Sequence, residues 1–142
     1  MKYEFIKKDE DTTILKYKDK EFEFIRDVSL MINLQSINFT ARNKMLKDLA
    51  KQGMTVGDLI TVEKKNGKTY ENDTNVRWIE RRYIIEETTK LFDKCCNKFT
   101  KMGMSELMED IGISEPKDSA EFGNSLREAI MGTYTPSEEK AD

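Results

Sequence analysis

Alternating apolar and polar residues near the N-terminus predict β-strands. Tyr3 and Phe5 alternate with polar neighbours, and the apolar-rich segments 14–17 and 22–25 flank the short polar turn 18–21. Residues two apart share one face of a strand, so each segment places a pair of large apolar side chains on one side. The pattern predicts an antiparallel meander of two or three strands, which needs helices to cover its apolar face.

Helical spacing of apolar residues begins after the predicted strands. Asp27 is a suitable N-cap for a helix over 28–34, and a second helix is predicted over 39–52 with Gly53 as its stop. One face of the second helix carries three apolar residues, Met45, Leu46 and Leu49. The chain therefore changes from strands to helices at Asp27.

The segment after these helices contains two turn signals. Thr55 and Asp58 are suited to cap a short helical turn. Asn66-Gly67 is a strong signal for a tight type I′ turn. Because the flanks of that turn are short and polar, a small exposed hairpin and a disordered loop both remain open, and we interpret segment 62–70 as a mobile excursion.

The longest predicted element is a helix over 74–100. Trp78, Ile85, Phe92 and Phe99 recur every seven residues. Four more residues fill the same stripe: Ile84, Thr88, Leu91 and Cys95. The pattern predicts a rod about 40 Å long that turns this stripe towards a domain core. A coiled-coil seam is the alternative, but the repeat is short for one.

Two shorter helices are predicted at the C-terminal end. Gly103 is expected to end the long helix. Ser105 is then expected to cap a helix that stops at Gly112. The second of the two is expected to run over 120–131, with Ser119 as its cap, Gly132 as its stop and Pro116 in the preceding link.

Together these patterns predict an α+β fold, with a small N-terminal antiparallel β-meander packed on a mostly helical body. The length of 142 residues fits one domain, which we expect over 1–132, β-rich over 1–26 and helical over 27–132. Segment 133–142 is polar and charged, which predicts a disordered tail. No apolar run approaches the roughly 18 residues of a membrane helix, and there is no signal peptide, so we expect a cytosolic protein.

The chain contains no histidine, which is the usual general base and the commonest metal ligand. Cys95 and Cys96 are adjacent, which favours two reduced thiols, at least one of them buried. The paired acids, such as Glu86-Glu87, are typical of a solvated surface, and the glycines form no phosphate-binding loop. We therefore expect a non-enzymatic protein without catalytic residues, a cofactor or a metal.

Charge is distributed unevenly along the chain. Residues 1–101 carry 21 Lys and Arg against 17 Asp and Glu, whereas residues 102–142 carry 3 against 10. Arg77, Arg81 and Arg82 form a predicted basic patch around Trp78, and three more basic residues could join it across space: Arg42, Lys44 and Lys47. Such a patch can stack bases or grip phosphates, but it can also pair with neighbouring carboxylates, and the sequence pI near 5.2 argues against nucleic acid as the partner.

Methionine is the residue type that most favours a binding role. Met102, Met104 and Met108 cluster after the long helix, and flexible thioethers suit surfaces that accept varied partners. Phe122 and Leu126 lie on one face of the last helix and complete the candidate partner-binding set. Methionine that fills gaps in a core is the alternative.

The layout of the chain resembles the tail assembly chaperones of tailed bacteriophages and phage-derived tail-like elements. The resemblance rests on the N-terminal segment 17–24, the helical middle, the C-terminal segment 121–132 and the polar tail after it. It implies a non-enzymatic protein of the host cytoplasm that binds the tape measure protein, keeps it soluble and helps to recruit tail tube subunits. Many members also exist in a longer form made by ribosomal frameshifting.

Two other functions remain open at this stage. The chain could be a nucleic-acid-binding or regulatory phage protein that uses the arginine patch, or a modulator of a host protein.

The chaperone function requires a particular kind of surface. A tape measure protein is a long amphipathic helix, so its partner needs an apolar, adaptable groove ringed by charge. The sequence leaves self-association undecided.

Overall fold

The computed structural model describes residues 2–134 and confirms the α+β class. These residues form two compact units. Unit 1 contains residues 2–34 and 90–134, and unit 2 contains residues 35–89. No helix in the described part of the chain is both long and apolar enough to cross a membrane. The prediction of a single domain over 1–132 stays a prediction.

A three-stranded antiparallel sheet opens unit 1, as the alternating pattern predicts. Its strands are β1 (Glu4–Lys7), β2 (Thr12–Tyr17) and β3 (Lys20–Ile25), in the order β1-β2-β3. One face of the sheet is buried and carries four large side chains: Phe5, Leu15, Tyr17 and Phe24. The polar turn between β2 and β3 is tight, because Lys18 adopts a φ of 50°.

Four helical segments complete unit 1, and side chains from three of them, Phe99, Asp110 and Phe122, contact residues of the buried sheet face. They are α1 (Val28–Gln35), the C-terminal part of α3 (Thr74–Thr100), α4 (Met104–Ile111) and α5 (Pro116–Met131). Asp27 caps α1 as predicted, since its Oδ1 accepts the backbone N–H of Leu30 at 3.1 Å. The helices contribute most of the unit's core, including Leu91, Phe92, Cys95, Cys96, Leu107, Ile111, Phe122, Leu126 and Ile130.

The predicted bounds 74–100 of α3 are confirmed, but its predicted stop residue and the predicted starts of α4 and α5 are wrong. Gly103 does not end α3, because the left-handed residue after the helix is Lys101, with a φ of 62°. Gly103 is instead the N-cap of α4, which displaces Ser105 from that role. Likewise α5 starts at Pro116 rather than after Ser119, since proline suits the first helical position, where no N–H donor is needed. The stops at Gly112 and Gly132 are confirmed, both left-handed.

The predicted disordered tail over 133–142 lies mostly outside the described residues. Its first two residues are described, and they differ from the prediction. The Tyr134 ring packs against Phe5 at a centroid distance of 5.3 Å, in an edge-on arrangement. Tyr134 therefore belongs to the aromatic cluster on the sheet of unit 1.

Unit 2 has a much smaller core. It contains α2 (Ile37–Lys51), a 3-10 turn (Val56–Leu59), a hairpin of β4 (Thr61–Lys65) and β5 (Lys68–Asn72), and the first part of α3. Its buried cluster consists of Met45, Leu49 and Val76. Leu46, predicted on the same face as Met45, is 39% exposed, because it lies about 100° further round the helix.

Two local signals in unit 2 are confirmed. Thr55 and Asp58 form a reciprocal capping box on the 3-10 turn. Asn66 and Gly67 both have positive φ, 53° and 74°, as a type I′ turn requires. Of the two structures left open for segment 62–70, the hairpin is the one observed, and its strands pair over five residues each.

Candidate functional site

A groove of about 480 Å³ lies between α2 and the first part of α3, entirely within unit 2. Its floor is apolar, formed by the buried side chains of Met45 and Leu49 with Ile79 beside them. Polar and aromatic side chains line the remainder: Lys44, Asp48, Gln52, Trp78, Arg82, Tyr83 and Glu86. Concave sites of this kind, apolar below and polar at the rim, are typical of binding sites.

Charged pairs hold the polar rim in place. The Lys44 ammonium pairs with Glu86 at 3.5 Å and with Glu87 at 3.2 Å. The Tyr83 hydroxyl donates to Asp48 Oδ2 at 2.7 Å. This hydrogen bond, with a smaller contribution from burial, raises the pKa of Tyr83. Tyr83 is therefore a protonated donor at neutral pH and fixes the Asp48 carboxylate on one wall of the groove.

The predicted arginine patch is only partly a free basic surface. Arg77 pairs with Asp73 at 3.1 Å, in an i,i+4 arrangement along the start of α3. The guanidinium of Arg82 stacks over the Trp78 ring at 5.3 Å from its centroid, a cation–π contact. Within residues 2–134, neither Arg81 nor Arg82 has a carboxylate partner.

Of the three basic residues of α2 that were expected to join the patch, two are paired with carboxylates and one is not. Arg42 pairs with Glu80 at 3.1 Å, and Lys44 pairs with Glu86 and Glu87. Lys47 is exposed and has no ion pair in the described part of the chain. The alternative interpretation, that basic residues here serve neighbouring carboxylates, is therefore right for Arg42, Lys44 and Arg77.

An exposed apolar stripe on α3 starts at the rim of the groove with Trp78 and continues outside the groove to Ile85. Trp78 is 62% exposed and Ile85 is 56% exposed. Seven residues on a helix return to within about 20° of the same direction, so these two side chains point the same way. The prediction that this stripe of α3 faces a core is wrong for its first two members, because no element of unit 2 covers them.

Sequence reasoning identified the arginine patch around Trp78 but missed that this half of the α3 repeat is exposed, although a signal for the exposure exists. Trp78 is bracketed by Arg77 and by Arg81 and Arg82, whereas Phe92 is preceded directly by the apolar Leu91. An aromatic residue surrounded by arginines is typical of binding surfaces, where both residue types are enriched. The spacing of the repeat alone contains no information about which of its members are covered.

The predicted partner-binding residues lie in unit 1, and most of them are not on a surface. Phe122 and Leu126 are fully buried, and Met104 is also buried. Phe122 packs edge-on against the Tyr3 ring at 5.1 Å, so it is part of the aromatic core. The core-filling alternative is right for Met104. Met102 and Met108 are half-buried, and their role in binding stays a prediction.

The remaining reactive groups lie in the core of unit 1. Cys95 and Cys96 are both free and fully buried, and burial raises the pKa of each thiol to about 12. At neutral pH both are inert thiols, because the thiolate is the reactive form. Within residues 2–134, no cluster of Cys, Asp and Glu is arranged to hold a metal ion.

Comparison with known proteins identifies no relative. No known protein family matches the chain, and no curated protein or solved structure is significantly similar to it.

Proposed function

We propose that this protein is a non-enzymatic phage tail assembly chaperone, which transiently binds the tape measure protein and helps to recruit tail tube subunits. The observation that carries the proposal is the exposed stripe of Trp78 and Ile85 beside a preformed groove in unit 2. The choice of this function among protein-binding functions rests on the sequence resemblance.

The geometry of the stripe fits a helical partner. Trp78 and Ile85 are two turns apart, about 10 Å along the axis of α3. An amphipathic helix repeats its apolar residues at the same interval, so two of them can contact this pair in register. The bound helix would cover both side chains, whose exposure to water is unfavourable in the free protein.

The polar rim supports binding that is reversible. The groove is already formed, with Tyr83 and Asp48 held by a hydrogen bond, so a partner does not need to order it. Charged side chains such as Lys44 and Glu86 surround the apolar floor and keep the free chaperone hydrated. A small apolar contact within a charged rim gives moderate affinity, as a partner that must later leave requires.

The rim favours a polypeptide over a nucleic acid. Asp48 and Glu86 line the groove together with Arg82 and interrupt its basic surface, so a continuous row of phosphates would meet repulsion, whereas a single carboxylate can still reach Arg82. A phosphate-binding groove would instead present a continuous basic surface. If nucleic acid were the ligand, binding would weaken steeply with salt and would be lost on Arg81→Glu.

The experiment that tests the proposal is co-expression with the tape measure protein. Wild-type chain should raise the soluble fraction of the tape measure protein, and Ile85→Asp should abolish that gain by placing a charge in the apolar contact. Val62→Asp is the matched control, because Val62 is an exposed aliphatic residue on β4 of the same unit. No gain in solubility with the wild-type chain would refute the chaperone proposal.

A further inference from the structure

The two arginines beside Trp78 differ from most of their basic neighbours. Arg42, Lys44 and Arg77 are each held by a carboxylate. Arg81 and Arg82, which follow Trp78 by three and four residues, have none among residues 2–134. Arg82 covers one face of the indole instead. Its guanidinium therefore keeps its hydrogen-bond donors for a ligand.

The net charge of the two helices around the groove is positive, like that of Arg81 and Arg82. The helix α2 and residues 74–89 of α3 together carry seven Lys or Arg against four Asp or Glu. Three of these acids, Glu80, Glu86 and Glu87, are already paired with Arg42 or Lys44. The unpaired charge that a partner meets at this surface is therefore positive.

We propose that the exposed face of α3 at the rim of the unit 2 groove binds an acidic amphipathic helix. Two apolar side chains of that helix, seven residues apart, cover Trp78 and Ile85. A carboxylate between them binds the guanidinium of Arg82, which lies one turn after Trp78 on the same side of α3. The inference rests on the proposed function, from which it takes the helical nature of the partner.

The fluorescence of Trp78 can be used to measure binding of the helix. Trp78 is the only tryptophan in the chain, and it stands at the rim of the groove. A helix that covers the indole moves it from water into an apolar contact, so the emission of the full chain should shift to the blue. Quenching by acrylamide should fall in parallel, since the quencher must reach the ring.

The probes are two synthetic helical peptides of equal length with identical apolar positions. One carries Glu beside the apolar stripe and the other carries Lys at the same positions. We expect the Glu peptide to shift the Trp78 emission and to bind at least about tenfold more tightly than the Lys peptide, because its carboxylate reaches Arg82. Added salt should reduce this difference, since the charges lie at an exposed rim.

Charge reversal tests the role of the arginines directly. The double variant Arg81→Glu, Arg82→Glu should reverse the preference towards the Lys peptide. The double variant Lys117→Glu, Arg127→Glu is the matched control, because both residues are exposed on α5 of unit 1 and the pair makes the same change in net charge. Should the double variant fail to fold by circular dichroism, the salt dependence of Glu-peptide binding to the wild-type chain decides the question.

Each outcome separates this inference from the proposed function. Equal binding of both peptides, or tighter binding of a single-stranded oligonucleotide than of the Glu peptide, overturns the inference. Binding of the Glu peptide without any gain in tape measure solubility supports the site and refutes the chaperone function. The converse result, in which the chain solubilises the tape measure protein but binds neither peptide, supports the function and refutes this site.

Discussion

The two halves of α3 carry one sequence repeat and have opposite environments. In unit 1, Phe92 is 6% exposed, and its neighbours Leu91, Cys95 and Cys96 are buried as well. In unit 2, Trp78 and Ile85, which precede Phe92 at intervals of seven residues, are mostly exposed. A helical repeat fixes which side chains share a face, but the rest of the fold decides whether that face is covered.

The difference follows from how many elements each unit supplies. In unit 1 a sheet and three further helices pack around the end of α3, and Phe24 reaches the Phe99 ring at 5.1 Å. Unit 2 offers α2, a short turn and a hairpin whose strands are almost wholly exposed. One half of α3 is therefore buried in a core, and the other half leaves Trp78 and Ile85 exposed.

The largest expected effect compares truncations in the two halves. Phe92→Ala should lower the free energy of unfolding by about 3–5 kcal/mol, because it leaves a cavity in a packed core. Ile85→Ala should change it by less than about 0.5 kcal/mol, because water already surrounds that side chain. Urea unfolding followed by circular dichroism measures both values.

A similar loss at both positions would contradict the comparison. It would mean that Ile85 is covered in solution, for example by a second copy of the chain. Repeating the measurement over a range of protein concentrations tests that explanation, since the stability of an oligomer depends on concentration.

The second prediction concerns the stability of the fold at alkaline pH. The buried thiols on which it depends both lie in the unit 1 half of α3. Burial raises the pKa of Cys95 and Cys96 from the ordinary 9.0 to about 12. The folded chain therefore keeps two protons that the unfolded chain releases, so their contribution is complete below pH 9 and is lost as the pH rises through 12. The loss is at most about 1.4 kcal/mol per pH unit for each thiol.

Urea midpoints at pH 8, 9 and 10 check this prediction. The double variant Cys95→Ala, Cys96→Ala should show a flatter decline than the wild-type chain over the same interval. The burial of Tyr17 and its hydrogen bond to Asp110 raise the pKa of that hydroxyl too, so some decline should remain. An unchanged slope in the double variant would show that the thiols titrate alike in the folded and unfolded chain.

The elements that were predicted correctly are those that depend on residues close together in the sequence. The strands follow from alternation, α1 follows from the Asp27 cap, and α3 begins and ends at the predicted residues 74 and 100. The Asn66-Gly67 turn likewise needs only two residues that tolerate positive φ. Each of these features depends on neighbours in sequence.

What the sequence could not provide depends on distant residues. The N-terminus of α4 is capped from another helix, because Asp93 of α3 accepts the Met104 N–H. The burial of Met104 and the exposure of Trp78 likewise depend on which elements pack around them. For this reason the partner-binding residues predicted from the C-terminal methionines are mostly buried in unit 1, whereas the groove lies in unit 2, where Arg82 of the predicted basic patch lines it.

The third prediction compares an aspartate contact in one half of α3 with an arginine contact in the other. Asp93 Oδ1 accepts the Met104 N–H at 3.0 Å, and a Cβ at Gly103 would lie 2.6 Å from that oxygen, so a larger residue there would displace the Asp93 carboxylate. Asp93→Ala should cost about 1 kcal/mol, as the loss of a helix cap does. Arg77→Ala should cost less than about 0.5 kcal/mol, because its pair with Asp73 is exposed. Thermal unfolding of the two variants checks the order, and a reversed order would show that the cap is formed some other way.

The smallest expected effect concerns the ion pair between Arg42 on α2 and Glu80 on α3, whose nitrogen and oxygen lie 3.1 Å apart. A double-mutant cycle with Arg42→Ala and Glu80→Ala should give a coupling of about 0.2–1 kcal/mol that falls as salt is added, because the arginine is half exposed. Such a weak coupling would mean that this ion pair of unit 2 contributes little to the stability of the fold. Charged residues of unit 2 could then bind a partner without loss of stability, as the proposed acidic helix requires. A coupling above about 2 kcal/mol would instead make these charges part of the structure. The contrast between a structural half and a binding half of α3 would then no longer hold.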